Sequence, residues 1–187
     1  MAGARALFLG RDGVINVDTG FVWQPEAFVF IDGVFAACRR AVALGFRLVV
    51  VTNQSGIGRG LYSEADFQAL TDWMCGRFAG EGVEIARVYC APTHPVHGVG
   101  RYRTESPDRK PGPGMMLRAQ ADLGLDLAAS ALVGDRETDM AAAAAAGIGL
   151  KLLIPHAGED TTVTLADSIV GSLDEAVDLL AAWTGEA

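Results

Sequence analysis

The chain has 187 residues, of which 50% are hydrophobic and 20% are charged. This length suits one globular domain, and this composition provides a full hydrophobic core and excludes a disordered chain. The net charge of −8 argues against a general nucleic-acid binder or a protein that attaches to anionic membranes, since both need clustered basic residues.

The three cysteines, Cys38, Cys75 and Cys90, are an odd number in a chain that can build its own core, so we expect no disulfide framework. No apolar stretch approaches the ~18–20 residues of a membrane span, and the first residues lack the order of a signal peptide. These observations predict a cytoplasmic protein that does not enter a membrane, with a monomer as the default state.

The first part of the chain predicts one β-α-β unit. An apolar run ends at Gly10 and indicates a buried strand, and the irregular residues 16–32, rich in aromatic and acidic side chains, are interpreted as a flap beside the site. A helix follows, and its apolar residues recur at helical spacing: Phe35, Cys38 and Val42. Gly45 would end this helix before a second buried strand, residues 48–51.

The middle of the chain predicts a helix, a third strand and a long loop. Ser63 and Asp66 resemble a capping box at the start of the helix. Its buried face is predicted to carry Phe67, Leu70, Met74 and Phe78. Residues 87–90 form the strand, and residues 91–113 form a loop of a length that is usually functional or mobile.

The last part of the chain alternates helix, strand, helix and strand over residues 115–123, 131–133, 137–146 and 150–154. Ser172 and Glu175 predict a capping box for a final helix that carries Val177, Leu180 and Trp183. The alternation predicts an α/β fold with a doubly wound parallel sheet, Rossmann-like, in one domain over residues 1–187. The connections after the first two strands are too short for a large cap domain.

Four segments carry polar residues at or near the ends of successive predicted strands, where α/β folds place their chemistry. They are Gly10-Arg11-Asp12-Gly13, Thr52-Asn53-Gln54-Ser55-Gly56, Arg109-Lys110-Pro111 and Gly134-Asp135 with Asp139. In order and spacing they resemble the haloacid dehalogenase (HAD) superfamily. Over about residues 6–155 the amino-acid sequence resembles the subfamily of D-glycero-D-manno-heptose 1,7-bisphosphate 7-phosphatases and histidinol-phosphate phosphatases.

The resemblance implies a magnesium-dependent phosphatase acting on a small phosphorylated sugar, in the carbohydrate metabolism that makes lipopolysaccharide precursors. It implies that Asp12 is the general acid and base, that Thr52 and Lys110 hold the phosphoryl group, and that Asp135 binds magnesium together with the backbone carbonyl of Asp12. Asp139 would orient Lys110 or water. The implied substrate contacts are Asn16, Asp18, Asn53, Gln54, Arg59 and Arg109. Each residue alone also fits an ordinary turn, strand-end or surface role. Because all of them occur together in the superfamily's order, an active site is favoured.

Gly10 departs from the superfamily motif, which places the attacking aspartate and a magnesium carboxylate at this position. Asp12 is a poor substitute because two residues of strand displace it by several ångströms at ~3.3 Å per residue, and Val14 would then replace the general acid. We therefore predict impaired or absent turnover and weakened magnesium binding. The sequence fits both a natural glycine and an altered position in an otherwise ordinary enzyme.

A second departure lies in the long loop, where many relatives bind zinc through Cys-x-His and Cys-x-Cys pairs. Cys90 is in place, but His94 and His97 have other spacings and Ser106-Pro107-Asp108 replaces the second pair. Because structural zinc needs four ligands, we expect none here, although Cys90, His94, His97 and Asp108 can be drawn as a set.

Two functions from different classes remain. One is a phosphatase of the heptose bisphosphate type, and the other is a catalytically silent module that binds or senses a phosphorylated metabolite. A receiver-like or flavodoxin-like module shares strand-end acids and a lysine, but the early Asp-Gly turn and the segment from Thr52 to Gly56 fit it poorly.

Overall fold

A computed structural model describes residues 3–156, 158 and 160–185 of the chain, so both ends of the predicted 1–187 unit lie outside the described residues. Six strands form one parallel sheet in the order β3-β2-β1-β4-β5-β6. The strands are β1 Ala6–Leu9, β2 Arg47–Asn53, β3 Ile85–Ala91, β4 Ala131–Gly134, β5 Leu150–Leu153 and β6 Ser168–Ile169.

The helices connect these strands on both faces of the sheet. They are α1 Val34–Ala43, α2 Ser55–Gly58, α3 Glu64–Gly80, α4 Gly114–Leu123, α5 Glu137–Ala146 and α6 Leu173–Thr184, with two 3-10 helices, Pro25–Ala27 and Gly100–Tyr102. The prediction missed β6, because a two-residue strand carries no periodic signal. Among the described residues, no helix is long and apolar enough to cross a membrane.

Alternate side chains of the central strand supply two separate hydrophobic clusters. Leu7 and Leu9 pack with α1, α3 and α6, whereas Ala6 and Phe8 pack with α4 and α5 on the opposite face. This period of two is the geometry of a strand that is buried on both sides. The predicted doubly wound α/β fold is therefore confirmed.

The predicted helix starts differ in how completely they are capped. The Ser63 hydroxyl accepts the Asp66 amide at 3.0 Å, and the Asp66 carboxylate accepts the Ser63 amide at 2.8 Å, so this capping box forms. At α6 the Ser172 hydroxyl accepts the Glu175 amide, but the Glu175 carboxylate accepts the amide of Gly171 instead. The second box is therefore only half formed.

Residues 16–32, the predicted flap, fold back over the end of β1. Asn16 forms isolated β-bridges with Asp12 and Phe30, and the Ile31 amide donates to the Ile15 carbonyl at 2.9 Å. Between β1 and α1 this segment holds only the 3-10 helix Pro25–Ala27. The described chain thus has no large cap domain, as predicted, and the flap lies directly beside the carboxyl edge of the sheet.

Candidate active site

The strand order places the site. The sheet reverses its winding direction between β1 and β4, and ligands of doubly wound sheets bind at the carboxyl ends of the strands at such a point. Gly10 directly follows β1, and its amide donates to the Val133 carbonyl of β4 at 2.9 Å. Asp135 directly follows β4, and Thr52 lies near the end of β2, the other neighbour of β1.

A cleft of about 500 Å³ opens at this edge. Its walls contain most of the predicted site residues: Gly10, Asp12, Asp18, Thr52, Asn53, Gln54, Arg109, Lys110, Asp135 and Asp139. They also contain residues that the sequence analysis did not select: Arg11, Gly20, Phe21, Ser55, Tyr62, Arg136 and Thr138. The structure thus brings together residues that are up to 129 positions apart in the chain, from Gly10 to Asp139.

Three donors fix the Asp12 carboxylate. Its Oδ1 accepts from Arg11 Nη2 at 2.9 Å and from Asn16 Nδ2 at 3.0 Å, and its Oδ2 accepts from Gln54 Nε2 at 3.1 Å. Arg11 is buried, and its Nη2 also donates to the Val22 carbonyl at 2.7 Å. The carboxylate therefore has one orientation, with a partly exposed edge toward the cleft.

Gln54 links Asp12 to the floor of the cleft. Its Nε2 also donates to Thr52 Oγ1 at 2.8 Å, while its Oε1 accepts from the Tyr62 hydroxyl at 2.5 Å. Because the tyrosine hydroxyl donates to the amide oxygen, the amide nitrogen must face Asp12 and Thr52. Burial raises the pKa of Tyr62 to about 12, so the phenol stays protonated and keeps this donor role at neutral pH.

Lys110 is held from two directions. The Asn53 side chain binds its backbone, with Nδ2 donating to the Lys110 carbonyl at 3.1 Å and Oδ1 accepting the Lys110 amide at 3.0 Å. The ammonium donates to the Val51 carbonyl at 3.0 Å and lies 2.5 Å from Asp139 Oδ1. Asp139 also accepts the backbone amides of Asp135 and Arg136, both at 3.1 Å, through Oδ2. A single carboxylate therefore ties the lysine to the turn after β4.

Asp135 is the most perturbed acid of the site. It is 6% exposed, and its Oδ2 has no hydrogen-bond partner among the described residues. Burial and the neighbouring Asp139 carboxylate raise its pKa to about 7. A buried carboxylate oxygen without a donor is costly unless a cation or a proton satisfies it, so this residue fits a metal ligand.

A polar corner joins the flap to the sheet. Asp18, Asp135 and His156 each offer a ligand atom within 4.8 Å of the others. Arg136 lies against the same carboxylates, since its Nη2 is 3.1 Å from Asp18 Oδ2 and its Nε is 3.7 Å from Asp135 Oδ2. Positive charge at this corner is therefore already supplied by the protein.

Because residue 10 is glycine, no side chain extends from the end of β1 toward the polar groups of the cleft. A β-carbon built there would lie 3.2 Å from Val14 Cγ2 and at least 3.7 Å from other atoms, and the Gly10 backbone does not have a positive φ. Gly13 is different, because its φ is +82° and a β-carbon would lie 2.4 Å from Asp135 Oδ2. Glycine is thus required at position 13 but not at position 10.

Two of the predicted substrate contacts do not line the cleft. Asn16 is completely buried and uses its amide to hold Asp12 and the Val17 carbonyl, so it supports the site from behind. Arg59 instead places its guanidinium 5.4 Å from the centre of the Phe21 ring. Arg109 does line the cleft, and burial together with the charge of Arg59 lowers its pKa.

In the long loop, His94 binds backbone amides through its side chain. His94 Nδ1 accepts the amides of Val96 at 3.2 Å and His97 at 3.0 Å. Burial raises the pKa of Cys90 to about 11, which disfavours the thiolate that a metal would need. The expectation that this loop binds no zinc stays a prediction.

Sequence reasoning missed Arg11, Tyr62 and Arg136. Arg11 and Arg136 each adjoin a predicted acid, and an arginine next to a motif aspartate was the available signal. Tyr62 had no such signal, because its contact with Gln54 depends on how α2 turns back toward the cleft.

A parallel sheet of this order, with acids after β1 and β4 facing a buried lysine and a strand-end threonine, defines the class of HAD-like hydrolases. A family model described as HAD-hydrolase-like matches residues 108–167. A Burkholderia mallei protein, D-glycero-alpha-D-manno-heptose-1,7-bisphosphate 7-phosphatase, is 54% identical over 94% of this chain and 93% of its own length. The corresponding beta-anomer phosphatase of Vibrio cholerae is 49% identical over 88% of this chain and 91% of its own.

A solved structure agrees with these relatives. The D,D-heptose 1,7-bisphosphate phosphatase of B. bronchiseptica, complexed with magnesium and phosphate, superposes with a TM-score of 0.79. It is 28% identical, and the match covers 98% of this chain and 99% of that one. The chain therefore belongs to the D-glycero-D-manno-heptose 1,7-bisphosphate 7-phosphatase family of HAD-like hydrolases.

Proposed function

We propose that this chain binds a phosphorylated sugar of the heptose 1,7-bisphosphate type in the cleft and hydrolyses it at most slowly. One observation carries the proposal. At the end of β1, Gly10 lies in a cleft that still contains Asp12, Thr52, Lys110 and Asp135. The names of the similar proteins support the choice of a heptose bisphosphate as the ligand.

The proposed phosphoryl-binding groups are Thr52, Lys110 and Arg109. Thr52 offers a hydroxyl at the floor of the cleft, and the buried ammonium of Lys110 offers charge that water does not screen. Asp139 would keep that ammonium in place, since Asp139 Oδ1 lies 2.5 Å from Lys110 Nζ. The sugar-bearing end of the ligand would then face Asp18 and the flap.

Asp12 is proposed to give a proton to the leaving oxygen of the sugar and to take one from water afterwards. Arg11, Asn16 and Gln54 hold its carboxylate for this role. The covalent step has no nucleophile, however, because attack on phosphorus needs a carboxylate at position 10 and glycine has none. Without a bond from this chain to phosphorus, hydrolysis of the ester is at most slow, although Asp12 is still held for its proton transfers.

The magnesium of the HAD fold fits the residues present only in part. Asp135, whose buried Oδ2 accepts no hydrogen bond from the described part of the chain, and the backbone carbonyl of Asp12 are the proposed ligands, and the carboxylate that Gly10 lacks would have been another. When bound, magnesium supplies positive charge to the phosphoryl oxygens. Binding of the metal should therefore depend on the phosphate.

The second candidate function is a silent binding or regulatory module, and the same Gly10 favours it. Both candidates share the ligand and differ only in turnover. We further propose that the protein is cytoplasmic, monomeric and folded as one domain over residues 1–187, and that it does not bind nucleic acid, in keeping with its net charge of −8.

Calorimetry with heptose 1,7-bisphosphate and magnesium tests the proposed ligand. We expect saturable binding, with Thr52→Val weakening it roughly tenfold or more because a hydrogen bond to a charged group is lost. Thr104→Val, at an exposed position of the long loop, is the matched control and should leave the affinity unchanged. No binding by the unaltered chain, or equal effects of the two substitutions, would contradict the proposal.

A further inference from the structure

Phe21 is an unusual residue at the mouth of the cleft. Among the described residues it is the one non-glycine with a positive φ, 49°, a backbone conformation that is unfavourable for an L side chain. Its ring lines the cleft, and the residue is 47% exposed. Little packing within the protein therefore offsets the unfavourable backbone, and such outliers cluster at ligand sites.

Hydrogen bonds hold both neighbours of Phe21 in place. On one side the Gly20 amide donates to Asp18 Oδ1 at 3.0 Å. On the other side Val22 is buried, and its carbonyl accepts from Arg11 Nη2 at 2.7 Å. Hydrogen bonds thus hold both flanks, and Phe21 between them lines the cleft and does not belong to the buried core.

The chemistry of the cleft changes along its length. Lys110 and Asp135 are buried, at 7% and 6% exposure, and suit a phosphoryl group and a cation, whereas Phe21 is exposed where it lines the cleft. The Arg59 guanidinium, 5.4 Å from the ring centre, is close enough for a cation–π contact that restrains the ring. A ligand that binds both the charged residues and the aromatic ring has a phosphate group joined to a part with a flat C–H surface.

We propose that Phe21 is the platform on which the sugar ring of the ligand lies, and that it determines specificity for a cyclic sugar phosphate over a short acyclic one. This inference rests on the proposed function, since it assigns the part of the cleft that the phosphoryl group does not fill. Pyranose rings expose such apolar C–H faces, and aromatic side chains in ligand clefts bind apolar surface while polar groups set orientation.

The test compares two ligands on the chain as it exists. Calorimetry with magnesium measures the affinity for heptose 1,7-bisphosphate and for glycerol 3-phosphate, which offers a phosphate without a ring. We expect Phe21→Ala to weaken heptose bisphosphate binding about tenfold and to leave glycerol 3-phosphate binding unchanged. Phe21→Trp should retain the affinity, and Val96→Ala, an exposed apolar position outside the cleft, should change neither ligand.

Thermal melting separates a platform from a structural role. Phe21→Gly relieves the positive φ and should melt about 2–4 °C above Phe21→Ala while binding heptose bisphosphate equally weakly. If Phe21→Ala weakens both ligands alike, or neither, the inference is overturned while the phosphate site stands. If the unaltered chain binds neither ligand, the proposed function fails, and the inference fails with it.

Discussion

The ammonium of Lys110 lies 2.5 Å from Asp139 Oδ1, and both side chains are almost completely buried. Asp139 belongs to the first turn of α5, whereas Lys110 precedes α4, so the ion pair joins the loop before α4 to the start of α5. The pair fixes the one ammonium in the cleft of the described chain. Its integrity should therefore control both stability and phosphate binding.

Asp139→Asn should lower the free energy of unfolding by about 3 kcal/mol, because the buried lysine loses its counter-charge. Urea denaturation measures this. Asp178→Asn is the control, since Asp178 pairs with Arg40 on the surface of α6, and exposed pairs contribute about 0–1 kcal/mol. Equal losses in the two variants would contradict a special role of the buried pair.

Gly13→Ala should be far more destabilising than Gly20→Ala. Both glycines have a φ of +82°, but a β-carbon at Gly13 would lie 2.4 Å from Asp135 Oδ2, and one at Gly20 would have no atom within 4 Å. Gly20→Ala then measures the backbone strain alone, about 1–2 kcal/mol. Gly13→Ala should exceed it by at least about 1–2 kcal/mol. Similar unfolding midpoints for the two variants would show that the turn does not press against Asp135.

The pKa of Asp135, raised to about 7 by burial and by Asp139, predicts a pH-dependent stability. Asp18 raises the pKa further, whereas Arg136 and Lys110 lower it. Between about pH 4 and pH 7 the folded protein binds more protons than the unfolded chain at this group, so stability falls as pH rises through this window. The loss from this group alone is on the order of 2–4 kcal/mol by pH 8.

Asp135→Asn removes this titration. Without metal, in the presence of a chelator, the variant should be more stable than the unaltered chain at pH 8 and lose most of this advantage at pH 4.5. Urea midpoints at the two pH values provide the comparison. An advantage that does not change with pH would show that Asp135 is not the titrating group.

Magnesium should bind weakly unless phosphate is present. One carboxylate is missing at Gly10, and magnesium in proteins depends on one or two carboxylates together with phosphate oxygens. Calorimetric titration with magnesium alone should give little heat, and the same titration with a phosphate analogue should give a clear isotherm. Micromolar affinity for magnesium alone would contradict the proposed ligand set.

Much of the fold could be predicted, because buried parallel strands are continuous apolar runs and helices have a different period. The edge of the sheet where the polar residues meet also follows from the sequence, since parallel strands bring their carboxyl ends together. The residues at Gly10, Thr52 and Asp135 illustrate this, as each directly follows or ends an apolar run.

The flap could not be predicted in the same way. Asn16 has the polarity of a ligand-binding residue, yet tertiary packing buries it against Asp12. Phe21 has a positive φ, which a phenylalanine does not favour, and hydrogen bonds hold the residues on both sides of it. Irregular segments take their path from contacts with the rest of the fold, which no local pattern records.

In the proposed function, this site lacks its nucleophile and little else. Gly10→Asp should supply the attacking carboxylate and a magnesium ligand together, because the backbone angle at position 10 suits any residue and only Val14 Cγ2, 3.2 Å from the new β-carbon, has to yield slightly. Gly10→Asn has the same shape without the nucleophile and is the matched control.

The decisive measurement is the release of inorganic phosphate from heptose 1,7-bisphosphate with magnesium by these three proteins. We predict negligible release by the unaltered chain and by Gly10→Asn, and an increase of several orders of magnitude in Gly10→Asp, since loss of a covalent nucleophile can cost ~10⁶-fold in rate. A Gly10→Asp protein that folds, binds magnesium and the sugar, and still releases no phosphate would show that the site lacks more than its nucleophile, and rapid turnover by the unaltered chain would show that no carboxylate is needed at position 10.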